Sequence, residues 1–207
     1  METMILSTQD PQAIPAAKRI IASGGLIAFP TDTIYGVAAD AFNPQGIEAI
    51  YTAKGRPEEK ALPVLIGDFD QLDSLILRRD ERLNRITAAF WPGPLTLVLQ
   101  KSSQVPEALS PYETVGVRMP NLAFTLALIK ETGPLATTSA NLSGDSNPVD
   151  AESVMAQLGG RIDLILDGGP TPGPTASTVA DLTGPDITIL RPGPISLPDL
   201  QSAWNQE

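Results

Sequence analysis

Short apolar or β-branched runs recur along the chain at residues 26–29, 62–66, 95–99, 114–119, 135–138, 162–166, 177–182 and 187–190. Each is brief and has a glycine or proline nearby, the pattern of a strand bounded by turns. Helical periodicity lies between these runs. Residues 11–23 place Ile14, Ala17, Ile20 and Ile21 on one stripe ahead of Gly24 and Gly25. Residues 44–53 and 80–90 follow, then 121–132, which runs from a capping Asn121 to a terminating Gly133. A fifth helix is predicted over 150–158, between Asp150 and the Gly159-Gly160 pair. Strands alternating with helices predict an α/β domain. The hairpin-like spacing of 162–190 adds antiparallel pairing, hence a mixed sheet. No repeat, low-complexity tract or linker interrupts the pattern, so residues 1–207 read as a single domain.

Composition narrows the chemistry. Hydrophobic residues make up 42% of the 207 positions and charged residues 18%, which is globular composition. The chain has no cysteine and no histidine. That excludes a disulfide framework, a zinc-thiolate site, a Ser-His-Asp triad, a His-ligated metal and an imidazole base. Catalysis must use Lys, Arg, carboxylates, Ser, Thr or Tyr hydroxyls, backbone groups or a borrowed metal. No basic segment followed by an apolar core opens the sequence, and no apolar run approaches the ~20 residues that cross a bilayer. A soluble, cytoplasmic protein away from membranes is expected. The net charge of −10 argues against long-range attraction to nucleic acid. Arg78, Arg79, Arg82 and Arg85 form a local exception, read mainly as a solvated helix face. Twenty prolines, about twice the usual share, stiffen many strand exits, where a preformed site is readily held.

Four polar segments stand out. Pro30-Thr31-Asp32-Thr33-Ile34-Tyr35-Gly36 packs two hydroxyls, a carboxylate and a phenol behind an apolar strand, and serves a turn or a ligand site. Lys54-Gly55-Arg56-Pro57 sets a point charge and a planar fork side by side, suited to phosphate or carboxylate as well as to a helix end. Thr137-Thr138-Ser139-Ala140-Asn141-Leu142-Ser143-Gly144 crowds four hydroxyls and an amide into eight residues, as a Ser/Thr turn or a neutral donor cluster. Arg118 stands inside an apolar strand, where a cation needs either an internal carboxylate or an anionic ligand. The Gly/Pro-rich stretch 167–178 lacks the lysine of a phosphate-binding loop and reads as a lid or a nest of backbone donors. Residues 91–96 read as a rigid turn anchored by a buried Trp91.

Taken together, PTDTIYG (30–36), KGRP (54–57), WPGPLTLVL (91–99), VGVRMP (115–120), TSANLSG (138–144), DGGP…STVADL (167–182) and ILRPGP (189–194) closely resemble the YrdC-like family of threonylcarbamoyl-AMP synthases. The resemblance spans roughly residues 10–195. It implies a twisted open sheet with flanking helices around a deep concave site. It also implies condensation of L-threonine, bicarbonate and ATP to threonylcarbamoyl adenylate and pyrophosphate, for tRNA N6-threonylcarbamoyladenosine modification by a downstream transferase complex. The family's KxR and SxN signatures fall on Lys54, Arg56, Ser139 and Asn141, implied as catalytic and nucleotide-binding. Thr114 and Arg191 are implied at ATP; Thr31, Arg118, Thr137 and Ser177 are implied at threonine. Mg²⁺ is the implied phosphate partner, with no protein metal site. Some relatives carry a histidine in an LIVH-like strand after the KxR segment, whereas Leu62-Pro63-Val64-Leu65-Ile66 stands here. The chain resembles the short form lacking an extra C-terminal domain. The alternatives are a YciO-like paralogue, a hydrogenase-maturation carbamoyl-adenylate domain, and a non-catalytic RNA-binding module. Direct tRNA binding is disfavoured by the acidic balance.

Overall fold

The computed structural model describes residues 2–57, 61–172 and 176–205. The strands are β1 (Met4–Ser7), β2 (Ile27–Pro30), β3 (Tyr35–Asp40), β4 (Val64–Leu65), β5 (Leu95–Gln100), β6 (Thr114–Arg118), β7 (Leu135–Ser139), β8 (Leu164–Asp167), β9 (Thr178–Asp181) and β10 (Thr188–Arg191). The helices are α1 (Ala13–Ala22), α2 (Pro44–Lys54), α3 (Glu81–Phe90), α4 (Ala123–Thr132), α5 (Ala151–Leu158) and α6 (Leu197–Trp204), with a 3₁₀ turn over Phe69–Ser74. One ten-stranded mixed sheet carries them all, in the order β1-β8-β2-β3-β7-β4-β6-β5-β9-β10. It is an α/β fold, as the periodicity predicts.

Helix starts follow local chemistry. Asn43, Asp80 and Asp150 accept from backbone N–H groups of the first turns of α2, α3 and α5, and Ser196 with Asp199 forms a capping box on α6. The predicted Asn121 cap is corrected. Helix α4 starts at Ala123 with Leu122 at its cap position and no side-chain cap bond. Packing fixes that helix instead. Leu128 and Ile129 are fully buried against α1, and buried Thr125 donates to the Pro30 carbonyl at 2.6 Å. Gly67 also lies against it: a Cβ there would stand 2.6 Å from the Leu126 carbonyl oxygen, so no larger residue fits without backbone movement.

Three further readings change. Strand β3 escapes the periodicity because Gly36, Ala38 and Ala39 are weak strand formers, yet it is buried mid-sheet between β2 and β7. A Cβ on Gly36 would meet the Thr137 methyl at 2.8 Å, so the small residue permits this pairing. The stretch 162–190 is not one hairpin unit. Strand β8 lies between β1 and β2, and β9 pairs parallel with β5, leaving only β9–β10 antiparallel. Strand β4 shrinks to Val64–Leu65, since Pro63 has no N–H to give the ladder.

The two sheet faces are treated differently. Helices α1 and α4 join Ile27, Phe29, Ala38, Leu135, Leu164 and Leu166 in an apolar cluster on one face. The opposite face packs Val115, Val117, Leu95, Leu97 and Leu99 into the larger cluster that includes residues of α2, α3, α5 and α6. Side chains alternate across a strand, so Thr137 and Ser139 share the face of Leu135. By the same parity Thr114, Gly116 and Arg118 on β6, and Thr96 and Val98 on β5, oppose the core. These positions line a cavity.

Candidate active site

The cavity is about 510 Å³, within the range of small-molecule sites. Eight strands or their exits contribute to its wall. Thr31, Arg56, Thr114, Arg118, Thr137, Ser139, Ser177 and Arg191 all line it, although they are scattered over 160 residues of sequence. Eight of the ten site residues expected from the sequence therefore meet in one place.

Arg118 is buried and held from three sides. Its Nε donates to the Gly93 carbonyl at 3.0 Å, Nη1 to Thr33 Oγ1 at 3.2 Å, and Nη2 to Asp32 Oδ1 at 2.5 Å. The internal carboxylate that the sequence left open is thus Asp32, itself 13% exposed. Burial pulls the Arg118 pKa down while Asp32 pulls it up. A guanidinium remains charged under either influence. Its planar fork is fixed in orientation, with five N–H groups and three acceptors among the described residues.

The hydroxyls beside it are ordered in turn. Thr31 Oγ1 donates to the Ile34 carbonyl at 2.7 Å and lies 2.9 Å from Thr33 Oγ1. Across the cavity, Ser177 Oγ and Thr96 Oγ1 are 2.9 Å apart. Arg191 donates Nε and Nη2 to the Ser177 carbonyl at 3.1 and 2.9 Å, tying β10 to the start of β9. Arg56 reaches the Ala61 carbonyl at 3.4 Å. Burial also lowers the pKa of Arg56 and of Arg191. Three guanidiniums thus face the space, and no carboxylate appears among the described wall residues. In a chain of net charge −10 that concentration of positive charge marks an anion site.

Lys54 and Asn141 are the two expected residues absent from the wall. The Lys54 ammonium is buried and donates to the Ser139 and Asn141 carbonyls, both at 2.5 Å. Asn141 spends its amide N–H groups on the Leu142 and Asp145 carbonyls, each at 2.8 Å. Both side chains stand behind the cavity and shape the turn after β7.

Other wall residues escaped the sequence reading: Thr96, Ser110, Tyr112 and Asn147. Ser110 and Asn147 each precede a proline, which marks a stiff polar corner but not the direction it faces. Trp91 is buried as expected and donates Nε1 to the Leu95 carbonyl at 2.8 Å. In the loop after β8, Tyr35 donates its hydroxyl to the Gly169 carbonyl at 2.8 Å and accepts from Gly168 N–H. Burial pushes the Tyr35 phenol up to about 12, so it remains a donor. Residues 173–175 of that predicted lid lie outside the described residues.

The family model described as Telomere recombination (Sua5, YciO, YrdC) matches residues 19–193. The chain belongs to the Sua5/YciO/YrdC family. A Bacillus subtilis threonylcarbamoyl-AMP synthase is 43% identical over 203 residues, covering 95% of this chain and 58% of that protein. A Mycobacterium tuberculosis relative is 39% identical, with 91% of this chain and 87% of that one covered. Among solved structures, Pyrococcus abyssi Sua5 complexed with L-threonine superimposes with a TM-score of 0.92 at 38% identity, covering 98% of this chain and 61% of Sua5. Escherichia coli YciO gives a TM-score of 0.83 at 26% identity, covering 96% and 98%. The chain therefore spans about three fifths of the Bacillus and Pyrococcus family members and most of the mycobacterial and YciO chains. No helix among the described residues is long and apolar enough to cross a membrane.

Proposed function

We propose that this family member is a threonylcarbamoyl-AMP synthase, a nucleotidyltransferase that condenses L-threonine, bicarbonate and ATP to threonylcarbamoyl adenylate and pyrophosphate. The observation that carries the reading is the cavity wall: Arg56, Arg118 and Arg191 with hydroxyls from several strands, and no described carboxylate. Its likeness to Sua5, at 38% identity against 26% for YciO, supports the same choice.

The threonine amine captures carbon dioxide supplied by bicarbonate to give a carbamate. A carbamate oxygen then attacks the α-phosphorus of ATP, and pyrophosphate leaves. No side-chain base is required at that step, because the carbamate is already an anion. The protein's task is to hold two anions together against their repulsion. Arg118 faces the threonine carboxylate, with Thr31, Thr137 and Ser177 around the amino acid. Arg56 and Arg191 face the triphosphate, with Thr114 and Ser139 as neutral donors. Lys54 and Asn141 support the turn that carries Ser139. The described residues offer no cluster of three carboxylates or imidazoles. Mg²⁺ would enter with the nucleotide, held mainly by phosphate oxygens and water. The product then passes to a threonylcarbamoyl-transferase complex that modifies tRNA.

Pyrophosphate release from ATP tests this directly. Release is expected with threonine and bicarbonate together and background release when either is omitted. Turnover indifferent to threonine would assign the cavity to another acyl acceptor.

A further inference from the structure

Lys54 is the last residue of α2, and Gly55 follows it with φ of +58°. This left-handed cap turns the chain so that the Lys54 carbonyl accepts from Ser143 N–H at 2.9 Å. Its side chain runs to the same turn. The ammonium meets the Ser139 carbonyl and the Asn141 carbonyl at 2.5 Å, and Asn141 Oδ1 at 3.4 Å. An ammonium has three hydrogens, and three oxygens of one turn receive them. No carboxylate among the described residues forms an ion pair with it. Lys54 is 3% exposed and is not part of the cavity wall, whereas Ser139 is. A phosphate could reach Nζ only by displacing those carbonyls and opening the turn.

We infer that Lys54 is a positioning residue: its ammonium gathers the carbonyls of the 139–141 turn, fixes the Ser139 hydroxyl in the wall, and does not touch the nucleotide. This rests on the nucleotide reading given above and departs from the nucleotide contact that the family resemblance implies for Lys54. The turn is held from its other side as well. Gln157 Oε1 accepts from Leu142 N–H at 3.0 Å, and Ala140 N–H donates to the Tyr35 carbonyl at 2.9 Å. Lys54 supplies the inner tie. Consistent with this enclosure, burial and then the Arg56 charge bring the Lys54 pKa down to about 8. Among the described residues, the charge that acts on it is that of Arg56, just beyond Gly55.

The test follows the Lys54 side-chain resonances by NMR across a pH titration, with and without a non-hydrolysable ATP analogue. Lys54→Met supplies the assignment, and Lys54→Arg a second one if that variant fails to fold. A positioning ammonium should keep its midpoint within about half a unit on binding. Direct contact with a triphosphate should raise it by about one unit or more, which would overturn the inference. In parallel, Lys54→Met should lower kcat by at least about tenfold while the analogue's Kd changes less than about threefold. The reverse split, lost affinity with kcat retained, would also overturn it. Absence of analogue binding by the unmodified chain would sink the nucleotide reading itself, and this inference with it.

Discussion

Replacing Arg118 with alanine is expected to raise the KM for threonine by about 100-fold while the KM for ATP changes little. A charge-assisted hydrogen bond is worth about 1.5–3 kcal/mol and each 1.4 kcal/mol is about tenfold, so losing the fork that meets one carboxylate reaches that size. The same substitution has a second consequence. Asp32, only 13% exposed, loses its guanidinium partner. An orphaned buried charge of this kind costs about 3–5 kcal/mol of stability. The two effects separate in the Arg118→Ala, Asp32→Asn double variant. Neutralising residue 32 should return most of the melting temperature but none of the threonine affinity. Recovery of both would assign Arg118 to the scaffold alone.

Gly193→Ala should lower kcat/KM by about 100-fold in a protein that still folds, because a displacement near 1 Å at a catalytic constellation has that effect. A Cβ on Gly193 would stand 2.3 Å from Thr178 N and 2.7 Å from the Ser177 carbonyl carbon. These are backbone atoms, so they cannot rotate away. Ser177 would have to move from both Thr96 and Arg191, which it bonds in the cavity wall. Overpacking of this sort also costs about 1–3 kcal/mol of stability. Gly184→Ala is the matched control, since its added Cβ finds nothing closer than 3.8 Å. Steady-state rates and melting curves of the two variants decide the matter. Equal behaviour would show that Gly193 is not a constraint on the site.

Much of this arrangement was legible in the residues, and its limits have physical causes. Helices α2, α3 and α5 were visible in their periodicity, and Asp150 marked the start of α5, whereas the Asn43 and Asp80 caps of α2 and α3 went unread. Strand β3 was hidden because Gly36, Ala38 and Ala39 were chosen by close packing, which local propensity cannot register. Of the eight site residues in the wall, Thr31, Thr137, Ser139 and Ser177 were legible as hydroxyls beside apolar strands, Arg118 as a cation inside one and Arg56 as a cation at a helix end, while Thr114 and Arg191 came from the family resemblance alone. The direction in which each side chain faces was not legible. Lys54 and Arg56 stand two positions apart at the end of α2, yet one turns into the protein and the other into the cavity. That divergence depends on the Gly55 left-handed turn and on carbonyls about 85 positions away in sequence. Asp32 likewise carried no sign that its partner would be Arg118 from across the sheet.

The central claim is that one cavity seats amino acid and nucleotide side by side. The most direct measurement uses an inert mimic in which threonine is joined to the 5′ position of adenosine by a non-reactive linker. Such a compound should inhibit competitively against both ATP and threonine and bind more tightly than either, because it spans both subsites and resembles the reacting pair. Competition against only one substrate, with the other binding undisturbed, would contradict a shared cavity.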